Sequence, residues 1–515
     1  MNSMVKRIVI LGGGSAGWLT AALLAVEHGG ETSEALHITV LESAKTPPIG
    51  VGEGTWPSMR DTLQRIGLSE AELVRECDAA FKQGSRFDGW VSGQDGDCFY
   101  HPFTPPKGYG VVDLAGAWLA APGGQPFAQH IGAQPHLCTH HLAPKQVATP
   151  EFAAIANYGY HFDAVKIGLL LRRHAISKLG VRHVVDDMVA VQSHVNGDIS
   201  ALLTQANGAI EGDLFIDCSG LAGKLIRQHF GVAMLSQQHV LFNDRALALQ
   251  VPYSDPDGPL ASQTIATAQP QGWTWDIGLP SRRGVGMVYS SEHTTTDAAE
   301  QMLRAHIHKT GGPVDLPSAR RISFQPGYLD KFWHRNCVAI GLSAGFIEPL
   351  EASALALVEL SAAMLCDEMP ANRSDMDLVA KRFNDVFSYR WARVIDFLKL
   401  HYVLSQRHDS DYWREHRRPD TIPERLRELL QLWQHRAPYR HDLNRLEEVF
   451  PSASYQYVLY GMGFTPETRP MRPERMAQAR NCFEEAATIT KRLLGGLPRH
   501  RDLIVHIRQH GMPTH

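Results

Sequence analysis

Three glycines close to the N-terminus have the spacing of a phosphate-binding turn. Gly12, Gly14 and Gly17 form the pattern G-x-G-x-x-G directly after an apolar run at residues 8–11. Glycines at these positions permit a tight turn and let the backbone approach a pyrophosphate, which the N–H groups of a helix N-terminus can bind. Glu42 follows Gly17 by 25 residues, and an acidic side chain at that distance can bind ribose hydroxyls. The spacing predicts a dinucleotide site.

The sequence around this turn predicts the elements that such a site needs. Residues 8–11 (IVIL) favour a buried parallel strand, residues 18–28 a helix, and residues 36–43 (LHITVLES) a second strand. The glycine pattern alone is weak evidence. Strand, turn, helix, strand and acid in this order are a strong signal, and together they predict a Rossmann-type unit.

Two later segments bear on which dinucleotide binds. Residues 213–227 (DLFIDCSGLAGKLIR) combine an apolar strand with a turn of small residues, and residues 337–360 combine a strand, a glycine-rich turn and a helix. A resident flavin needs a second binding segment, so the pair favours FAD, although each segment could also be a structural crossover. We find one G-x-G-x-x-G pattern, so a separate NAD(P)H domain is not expected and the reducing equivalents should come from elsewhere.

A pair of tryptophans lies in the segment GWTWDIGLP at residues 272–280. Trp273 and Trp275 are two residues apart, so in a strand both indoles point to the same face. Taken alone, these residues favour a core strand that packs two large rings. The wall of a ligand site is the alternative, and it needs support from the rest of the chain.

Composition places the chain among ordinary globular proteins. It has 515 residues, of which 44% are hydrophobic, and its net charge of −4 gives no electrostatic reason to expect nucleic acid or an anionic membrane as a partner. No apolar run is long enough to span a bilayer, and the run after Arg7 breaks at Gly12, too early for a signal peptide. Seven scattered cysteines without a C-x-x-C pair favour reduced thiols, so we expect a cytoplasmic protein.

The sequence pattern changes near residue 353. Residues 1–353 alternate strand-like and helical segments, with further strands predicted at 181–192 and 246–253, whereas helical patterns dominate residues 354–515. We therefore predict an α/β fold with a Rossmann-type FAD-binding core and a β-rich region in the first part, followed by a largely helical region. Without repeats or an evident linker, the two parts are expected to form one compact body.

Several further motifs together resemble the flavin-dependent tryptophan halogenase family over about residues 5–465. The joint presence of the VGE segment, the lysine of AAFKQG, the tryptophan pair and EPLEAS is far more specific than the glycine pattern. The resemblance implies a flavoprotein monooxygenase-like core whose helical C-terminal region covers the substrate pocket. The matching segments are GGGSAGW (12–18), VGEGTWPSMRDTLQRIGLSEAEL (51–73), AAFKQGSRFDGW (79–90), YGYHFDA (158–164), FIDCSGLAGKLIR (215–227), GWTWDIGLP (272–280), GVGMVYSS (284–291), AIGLSAGFIEPLEAS (339–353) and FLKLHY (397–402).

The resemblance implies halogenation of an electron-rich aromatic ring of the indole type. In this family reduced FAD, O2 and a halide ion generate hypohalous acid, which reaches a separate pocket where a lysine presents it to the ring. By similarity that lysine is Lys82 and the second catalytic residue is Glu351, with Glu348 as a rival. The alternative for Lys82 is a solvated lysine on a helix face, the usual place of a single lysine.

The resemblance also implies halide and cofactor contacts. Ser353 and Ala354 match the halide segment, where the family commonly has glycine at the position of Ala354, and Gly278 stands where the family has the proline of its Trp-x-Trp-x-Ile-Pro motif. These two differences put the geometry of the halide site in question and favour bromide over chloride. The implied cofactor contacts are Gly12, Gly14, Ser15, Ala16, Gly17, Glu42, Gly52, Glu53, Asp217, Gly341, Leu342 and Ile347.

Four residues match the substrate side of the family. His101 and Phe103 match the pair that sandwiches an indole, and Trp273 and Trp275 match the wall between flavin and substrate. A proline-rich surface loop at residues 99–106 is the alternative for the first pair. The family's amino-acid clamp cannot be matched residue by residue in the C-terminal half, so free tryptophan, another indole, a phenol and a larger tryptophan-containing molecule all stay open.

The family implies a separate NAD(P)H-dependent flavin reductase as the source of FADH2, and the sequence is compatible with a homodimer. Two other functions stay open: a flavin-dependent monooxygenase that inserts oxygen into an aromatic substrate, and a non-catalytic flavoprotein that binds a partner through its helical half. The segment HLCTHH at residues 136–141 contains metal-capable side chains, but no second set at convincing spacing accompanies it, so we expect no metal site.

Overall fold

The computed structural model describes residues 4–30, 35–45, 52–120, 124–443, 445, 448–467 and 470–513. Val51 of the VGE segment lies outside the described residues. Two compact units are present, and each is made of three stretches of chain. Unit 1 comprises Met1–Asp78, Phe162–Gln237 and Phe324–Trp391, and unit 2 comprises Ala79–His161, Gln238–Ser323 and Ala392–His515. These units follow contacts in space, whereas the predicted division at residue 353 follows composition along the sequence.

The strands, in chain order, are β1 Arg7–Leu11, β2 His37–Glu42, β3 Gly52–Gly54, β4 Ala80–Lys82, β5 Gly84–Asp88, β6 Cys98–Pro102, β7 Gly159–Asp163, β8 Arg182–Val185, β9 Met188–Ser193, β10 Ile199–Thr204, β11 Ala209–Glu211, β12 Leu214–Asp217, β13 Met234–Ser236, β14 Arg245–Val251, β15 Thr264–Gln269, β16 Gly272–Gly278, β17 Arg283–Tyr289, β18 Arg320–Ser323, β19 Gly327–Leu329, β20 Trp333–His334, β21 Cys337–Ala339 and β22 Gly345–Phe346. The helices are α1 Ser15–His28, α2 Ser58–Arg65, α3 Glu70–Glu76, α4 Leu114–Leu119, α5 Phe127–Ile131, α6 Gln134–Thr139, α7 Ala164–Leu179, α8 Thr296–Lys309, α9 Ser353–Asp367, α10 Arg373–Leu404, α11 Asp411–Glu415, α12 Glu424–Trp433, α13 Ser452–Gly461, α14 Pro473–Gly496 and α15 His500–His510.

Unit 1 is built around a six-stranded sheet with the order β20-β21-β12-β1-β2-β8. β1 pairs in parallel with β12 and β2, so that Ile10 lies opposite both Ile216 and Val40. These strands are short apolar runs because parallel sheets are covered on both faces, and α1 packs against α7 and α9. The arrangement confirms the predicted Rossmann-type core. It also places the turns after β1, β12 and β21 at the carboxyl edge of the sheet, where such folds bind ligands.

Unit 2 contains a seven-stranded sheet with the order β18-β14-β17-β16-β15-β5-β6. Helix α8 covers one face, which includes the buried side chains of Leu247, Val285 and Met287. Thr274 of β16 lies opposite Met287, so the alternating tryptophans of β16 lie on the other face. Every residue of β16 is buried, which places this strand in the interior of the unit.

Helices dominate the chain after residue 352, as the sequence predicts. Within unit 2, α13 packs against β6, and α14 packs against α4, α5 and α6. Among the described residues, none of the helices combines the length and the apolar content that crossing a membrane requires.

Candidate active site

The glycine turn of unit 1 is closed towards the protein and open at the start of α1. A methyl group on Gly12, whose φ is +118°, would lie 2.2 Å from the carbonyl oxygen of Cys218, and one on Gly17 would lie 2.0 Å from the carbonyl oxygen of Gly12. By contrast, among the described residues no atom other than those of its chain neighbours lies within 4 Å of the corresponding position on Gly14, the N-cap residue of α1. The turn therefore has glycines where the protein crowds it and open space where a pyrophosphate would approach the helix N-terminus, which fits a dinucleotide.

The carboxyl group of Glu42, at the end of β2, lies close to a histidine and an arginine. His183 Nε2 lies 2.9 Å from Glu42 Oε2, and Arg172 lies 3.9 Å from the same oxygen. A methyl group on Gly13 would lie 2.2 Å from the Glu42 carboxyl carbon, so the carboxyl packs directly against the glycine turn. The structure thus brings the predicted ribose ligand next to the predicted phosphate turn and fixes its orientation.

Asp217 is used by the chain itself. Its Oδ1 accepts hydrogen bonds from the backbone N–H and the hydroxyl of Ser219, at 3.0 and 2.6 Å. Its Oδ2 accepts from the N–H groups of Leu225 and Ile226, at 2.8 and 2.9 Å. A buried carboxylate with four such donors stabilises the turn after β12, so its contribution to a cofactor site is to shape this turn.

The second glycine-rich turn contacts the first. Gly341 has a φ of +81°, and a methyl group on it would lie 2.8 Å from the side chain of Ala16. Leu342 lies in the same turn, Gly341–Ser343, and Ile347 follows β22 with its side chain buried. The two segments that the sequence predicts as flavin contacts are therefore adjacent in unit 1. Gly52 and Glu53 lie on β3, and burial raises the pKa of the Glu53 carboxyl to about 7.

The start of α9 has an unusual backbone conformation next to Glu351. Ala352 adopts the left-handed region with φ +54°, which is uncommon for a residue with a side chain, and Ser353 and Ala354 then begin the helix. The first N–H groups of a helix have no partner within it, and they carry its partial positive charge, so this end can attract an anion. Ala354 lies within helix α9, a conformation that favours alanine. The residue with the strained backbone is Ala352, and the sequence gives no sign of this strain.

Trp56 connects the VGE segment to this helix start. Its indole Nε1 donates a hydrogen bond of 2.8 Å to the carbonyl oxygen of Glu351. The side chains of Glu351 and its rival Glu348 are both buried, at 4% and 1% exposure. Burial therefore does not separate the two candidates, but the indole contact fixes the backbone at Glu351.

A buried carboxyl forms a second connection between the same segments. Glu359 of α9 accepts hydrogen bonds from the hydroxyls of Thr62, at 2.7 Å, and Ser58, at 3.3 Å, both on α2. Burial raises its pKa to about 8, so the carboxyl is mostly protonated at neutral pH. Sequence reasoning missed this residue, because a glutamate in an apolar helix carries no local sign of its partner.

Lys82 lies on a buried strand of unit 2. It is the last residue of β4 and is 1% exposed, so the interpretation as a solvated lysine on a helix face is wrong. Lys82 pairs with Gly159 of β7, which offers no side chain opposite it. Its ammonium lies 5.3 Å from the ring centroid of Phe103, within the range of a cation–π contact. The structure thus brings together two predicted residues, the lysine and one of the aromatic pair.

His161 is a further polar group beside Lys82. His161 lies on β7 and pairs with Ala80 of β4, so its imidazole and the lysine side chain lie on the same face of the two strands. Its Nε2 lies 2.8 Å from the hydroxyl of Thr264. Burial, together with the positive charge of Lys82, holds the pKa of His161 well below its usual value, although a contact with the Gly278 backbone acts in the opposite direction. A neutral imidazole therefore adjoins the lysine. The motif YGYHFDA contains it, but the spacing alone gave no role.

The tryptophan pair forms a continuous aromatic surface on one face of β16. Trp273 and Trp275 are nearly completely buried, and their rings meet edge to face at 6.3 Å. Trp275 packs over Gly286 on β17, where a methyl group would lie 2.1 Å from the indole. Gly278 lies at the end of the strand, opposite Arg283. A methyl group at Gly278 would lie 3.2 Å from Leu260, so a bulkier residue would require adjustment there.

The segment around His101 is a strand in its first part. Residues 99–102 of β6 are buried, which excludes the surface-loop interpretation for them. The imidazole of His101 lies 5.6 Å from the ring of Phe397 and 6.1 Å from that of Tyr457. His101 therefore lies among aromatic rings of unit 2.

The histidine-rich segment at residues 136–141 forms α6 and its end. The ring of His136 lies 2.9 Å from the carbonyl oxygen of Gln129, and that of His140 lies 2.9 Å from the carbonyl oxygen of His136. Over the described part of the chain, no group of three His, Cys, Asp or Glu side chains is arranged to hold a metal ion.

Comparison with known proteins agrees with this geometry. The family model for tryptophan halogenase matches residues 7–478. The chain is 32% identical to the 7-chloro-L-tryptophan 6-halogenase of Kutzneria sp. (strain 744), covering 97% of this chain and 99% of that protein. Its fold matches the crystal structure of a tryptophan halogenase from Shewanella frigidimarina NCIMB 400 with a TM-score of 0.96 and 45% identity, over 100% and 99% of the two chains. It also matches a flavin-dependent halogenase from Brevundimonas sp. BAL3 with a TM-score of 0.86 and 32% identity, over 98% and 99%.

The glycine turns of unit 1, the buried lysine and tryptophan pair of unit 2, and these matches along nearly the whole chain agree with one another. The protein belongs to the tryptophan halogenase family of flavin-dependent enzymes.

Proposed function

We propose that the protein halogenates an electron-rich aromatic ring, of the indole type, with FADH2, O2 and a halide ion. FADH2 supplies two of the four electrons that O2 takes up and the halide ion supplies the other two, so that FADH2, O2, X⁻ and H⁺ give FAD, HOX and H2O. The aromatic substrate then exchanges a ring hydrogen for the halogen: ArH and HOX give ArX and H2O. The observation that carries the proposal is the buried Lys82, whose ammonium adjoins Phe103 in the unit that also contains the tryptophan pair.

In unit 1, the turn at Gly12–Gly17, Glu42 and the turn at Gly341 would hold the flavin. The N–H groups of Ser353 and Ala354 at the start of α9 would hold the halide ion. Glu351 precedes these residues, and its carboxylate would accept the ring proton or stabilise the cationic ring. The fixed backbone at Glu351 and the open approach at Gly14 support these assignments.

In unit 2, Lys82 would donate a hydrogen bond to hypohalous acid and make the halogen more electrophilic. The burial of Lys82 suits it to this task, because a hydrogen-bond donor has a stronger effect in a site that excludes water. Trp273 and Trp275 would separate the flavin chemistry from the substrate. His101 and Phe103 would stack on the substrate ring, a contact worth about 1 kcal/mol per aromatic pair, which selects ring type only weakly.

We expect bromination to exceed chlorination, and free indole to be accepted at least as well as tryptophan. Bromide is less strongly hydrated and easier to oxidise than chloride, so the differences from the family at Gly278 and Ala354 should penalise chloride more. Because only one dinucleotide pattern is found, FADH2 should come from a separate NAD(P)H-dependent flavin reductase.

The test combines purified protein, FAD, a flavin reductase, NADH and equimolar bromide and chloride with indole and tryptophan side by side. Halogen isotope patterns in the mass spectrum of the products are the expected result, with the brominated product dominant. Ala354→Gly is the matched variant and should raise the share of chlorination. Oxygenated products without halogen would instead indicate a monooxygenase. Dominant chlorination of tryptophan at one ring position would refute the expected halide and substrate preferences but not halogenation itself.

A further inference from the structure

The last helix of the chain touches the strand that carries Lys82. Helix α15 begins at His500, beyond residue 478, where the match to the family model ends. His500 is completely buried in unit 2, although it lies close to the C-terminal end of the described chain, which is residue 513. Such burial of a polar residue calls for partners, and the structure supplies them.

His500 binds backbone groups with both ring nitrogens. Its Nε2 lies 2.9 Å from the backbone nitrogen of Phe81, and its Nδ1 lies 3.3 Å from the carbonyl oxygen of Leu260. The Phe81 N–H can only donate, so Nε2 must be unprotonated and Nδ1 must carry the ring proton. Burial lowers the pKa of His500 to about 3, which keeps the ring in this neutral form at neutral pH.

The contact fixes the residue immediately before Lys82. Strand β4 has three residues, and within the described part of the chain it pairs with β7 alone. On the side away from β7, the Phe81 N–H is taken by His500, and the N–H of Gln83, one residue after Lys82, donates to the carbonyl oxygen of Ser262 at 2.6 Å. Hydrogen bonds from the backbone N–H groups on both sides of Lys82 therefore fix its position in the chain. The acceptor of the first is the imidazole of His500.

The same helix end also contacts the loop after the tryptophan strand. The guanidinium of Arg501 donates to the carbonyl oxygen of Pro280 at 2.9 Å and lies 4.9 Å over the ring of Tyr253. The backbone N–H of His500 donates to the carbonyl oxygen of His141 at 2.8 Å. These contacts restrain the start of α15, so the imidazole that meets Phe81 is itself fixed.

We propose that His500 is a positioning residue for Lys82, which it places by accepting the N–H of Phe81 and so setting the backbone of β4. The inference rests on the proposed function, since it gives Lys82 a geometry that the halogenation step requires. The role belongs to a segment beyond residue 478, where the match to the family model ends, and it requires no contact between His500 and the substrate or the halogen.

A matched pair of variants tests the role of Nε2. In His500→Gln the side-chain oxygen can reach the position of Nε2 and accept the Phe81 N–H, whereas in His500→Asn the amide is too short and reaches only the position of Nδ1. We expect His500→Asn to lower kcat for halogenation about 10-fold, since small displacements of reacting groups have effects of this size. His500→Gln should stay within about 3-fold of the wild type, and His510→Asn, an exposed histidine of the same helix, should be unchanged.

A second readout separates positioning from a loss of stability. With a soluble trap for hypohalous acid in the assay, His500→Asn should deliver less of the oxidant to the substrate and more to the trap, while FAD affinity and the KM for halide stay unchanged. Equal kcat and equal trapping in the Asn and Gln variants would overturn the proposal. Wild type and Lys82→Met are assayed in the same experiment. An inactive wild type would refute the proposed function. If the wild type is active and Lys82→Met is inactive, the comparison of the two His500 variants decides whether His500 positions Lys82.

The tautomer of His500 can be measured without the Asn variant. Nitrogen-15 NMR of histidine-labelled wild type, with the signal assigned by its loss in His500→Gln, should show a proton on Nδ1 and an unprotonated Nε2 at pH 7. A proton on Nε2 would exclude the contact with Phe81 and overturn the proposal, even if the Asn variant does not fold.

Discussion

Glu359 of unit 1 and His500 of unit 2 are both buried ionisable groups that hold a segment with a proposed catalytic residue. Burial keeps both neutral at pH 7, but it does so in opposite directions: the pKa of Glu359 is raised to about 8, and that of His500 is lowered to about 3. Desolvation disfavours the charged form, so a carboxyl keeps its proton and an imidazole gives it up. The comparison shows that the same physical cause produces opposite responses to pH.

The two groups also act on different parts of the chain. Glu359 binds the hydroxyls of Ser58 and Thr62, so it joins two helices through side chains, and Trp56 in the same segment reaches Glu351. His500 instead binds a backbone N–H next to Lys82. A substitution of His500 should therefore displace Lys82 more directly than a substitution of Glu359 displaces Glu351.

The largest loss of halogenation is expected on substitution of Lys82, the residue of unit 2 that His500 is proposed to position. Lys82→Met removes the ammonium and should lower halogenation by more than about 100-fold, since loss of a directed donor in a dry site has effects of this order. FAD binding should be unchanged, because the glycine turns lie in unit 1. Product formation by mass spectrometry and FAD titration by fluorescence measure the two quantities.

Lys145→Met is the control for that variant, because Lys145 is a second buried lysine of unit 2 whose ammonium lies 5.8 Å from the ring of Phe81. It donates to the carbonyl oxygen of Pro150 at 2.8 Å, so its loss should lower the melting temperature while the folded enzyme still halogenates. Near-normal halogenation by Lys82→Met, or equal loss in both variants, would contradict the assignment of Lys82.

A smaller loss of activity is expected in unit 1, where the two buried glutamates Glu351 and Glu348 are alternative candidates for the second catalytic residue. Glu351→Gln should lower kcat about 100-fold, at the lower end of the roughly 100- to 10,000-fold that general acid–base groups contribute. Glu348→Gln should change kcat only a few-fold. Steady-state kinetics on both purified variants, each checked for a normal melting temperature, decides between them, and the reverse order would transfer the role to Glu348.

The opposite pKa shifts predict opposite changes of stability with pH. Glu359 is protonated in the folded protein and ionised in the unfolded chain between pH 4.5 and about 8, so its contribution to the free energy of unfolding falls as pH rises through that window. His500 is neutral when folded and charged when unfolded between pH 6.5 and about 3, so its contribution falls as pH decreases there. Each pKa unit corresponds to about 1.4 kcal/mol.

Denaturant unfolding of wild type, Glu359→Gln and His500→Gln across pH 4–8 measures this difference. Relative to wild type, Glu359→Gln should gain stability as pH rises, and His500→Gln should gain stability as pH falls. The comparison is made between variant and wild type because other buried groups titrate in the same range, such as Asp396, whose pKa is raised to about 6. Parallel curves for all three proteins would show that neither group is held neutral by the fold.

The smallest effect is expected at Trp56. Trp56→Phe keeps most of the ring but removes the indole N–H that binds the Glu351 carbonyl oxygen, which should cost about 1 kcal/mol of stability. Because the start of α9 would then be less fixed, the KM for halide should rise a few-fold with little change in FAD affinity. An unchanged KM for halide would show that the backbone at Glu351 is set by other contacts.

The sequence by itself determined the Rossmann-type core, the first glycine turn, the tryptophan strand and the helical C-terminal region. These features depend on local patterns: apolar runs, glycine spacing, and alternation with a period of two or 3.6 residues. The family motifs that contain Lys82, Glu351 and the tryptophan pair predicted the roles of these residues. The burial of Lys82 and Glu351 and the strand conformation around Lys82 could not be predicted in this way, because a three-residue strand leaves no periodicity to read.

Only the tertiary structure decided which distant groups hold these residues. Phe81 and His500 are separated by 419 positions, and Thr62 and Glu359 by 297, and no local pattern connects residues so far apart. The same is true of Asp217, which the family resemblance assigns to the cofactor and whose carboxylate the folded chain uses to stabilise its own turn. Whether a buried polar group binds a ligand or the backbone depends on which donors the fold places within about 3 Å of it, and folding brings those donors from separate parts of the sequence.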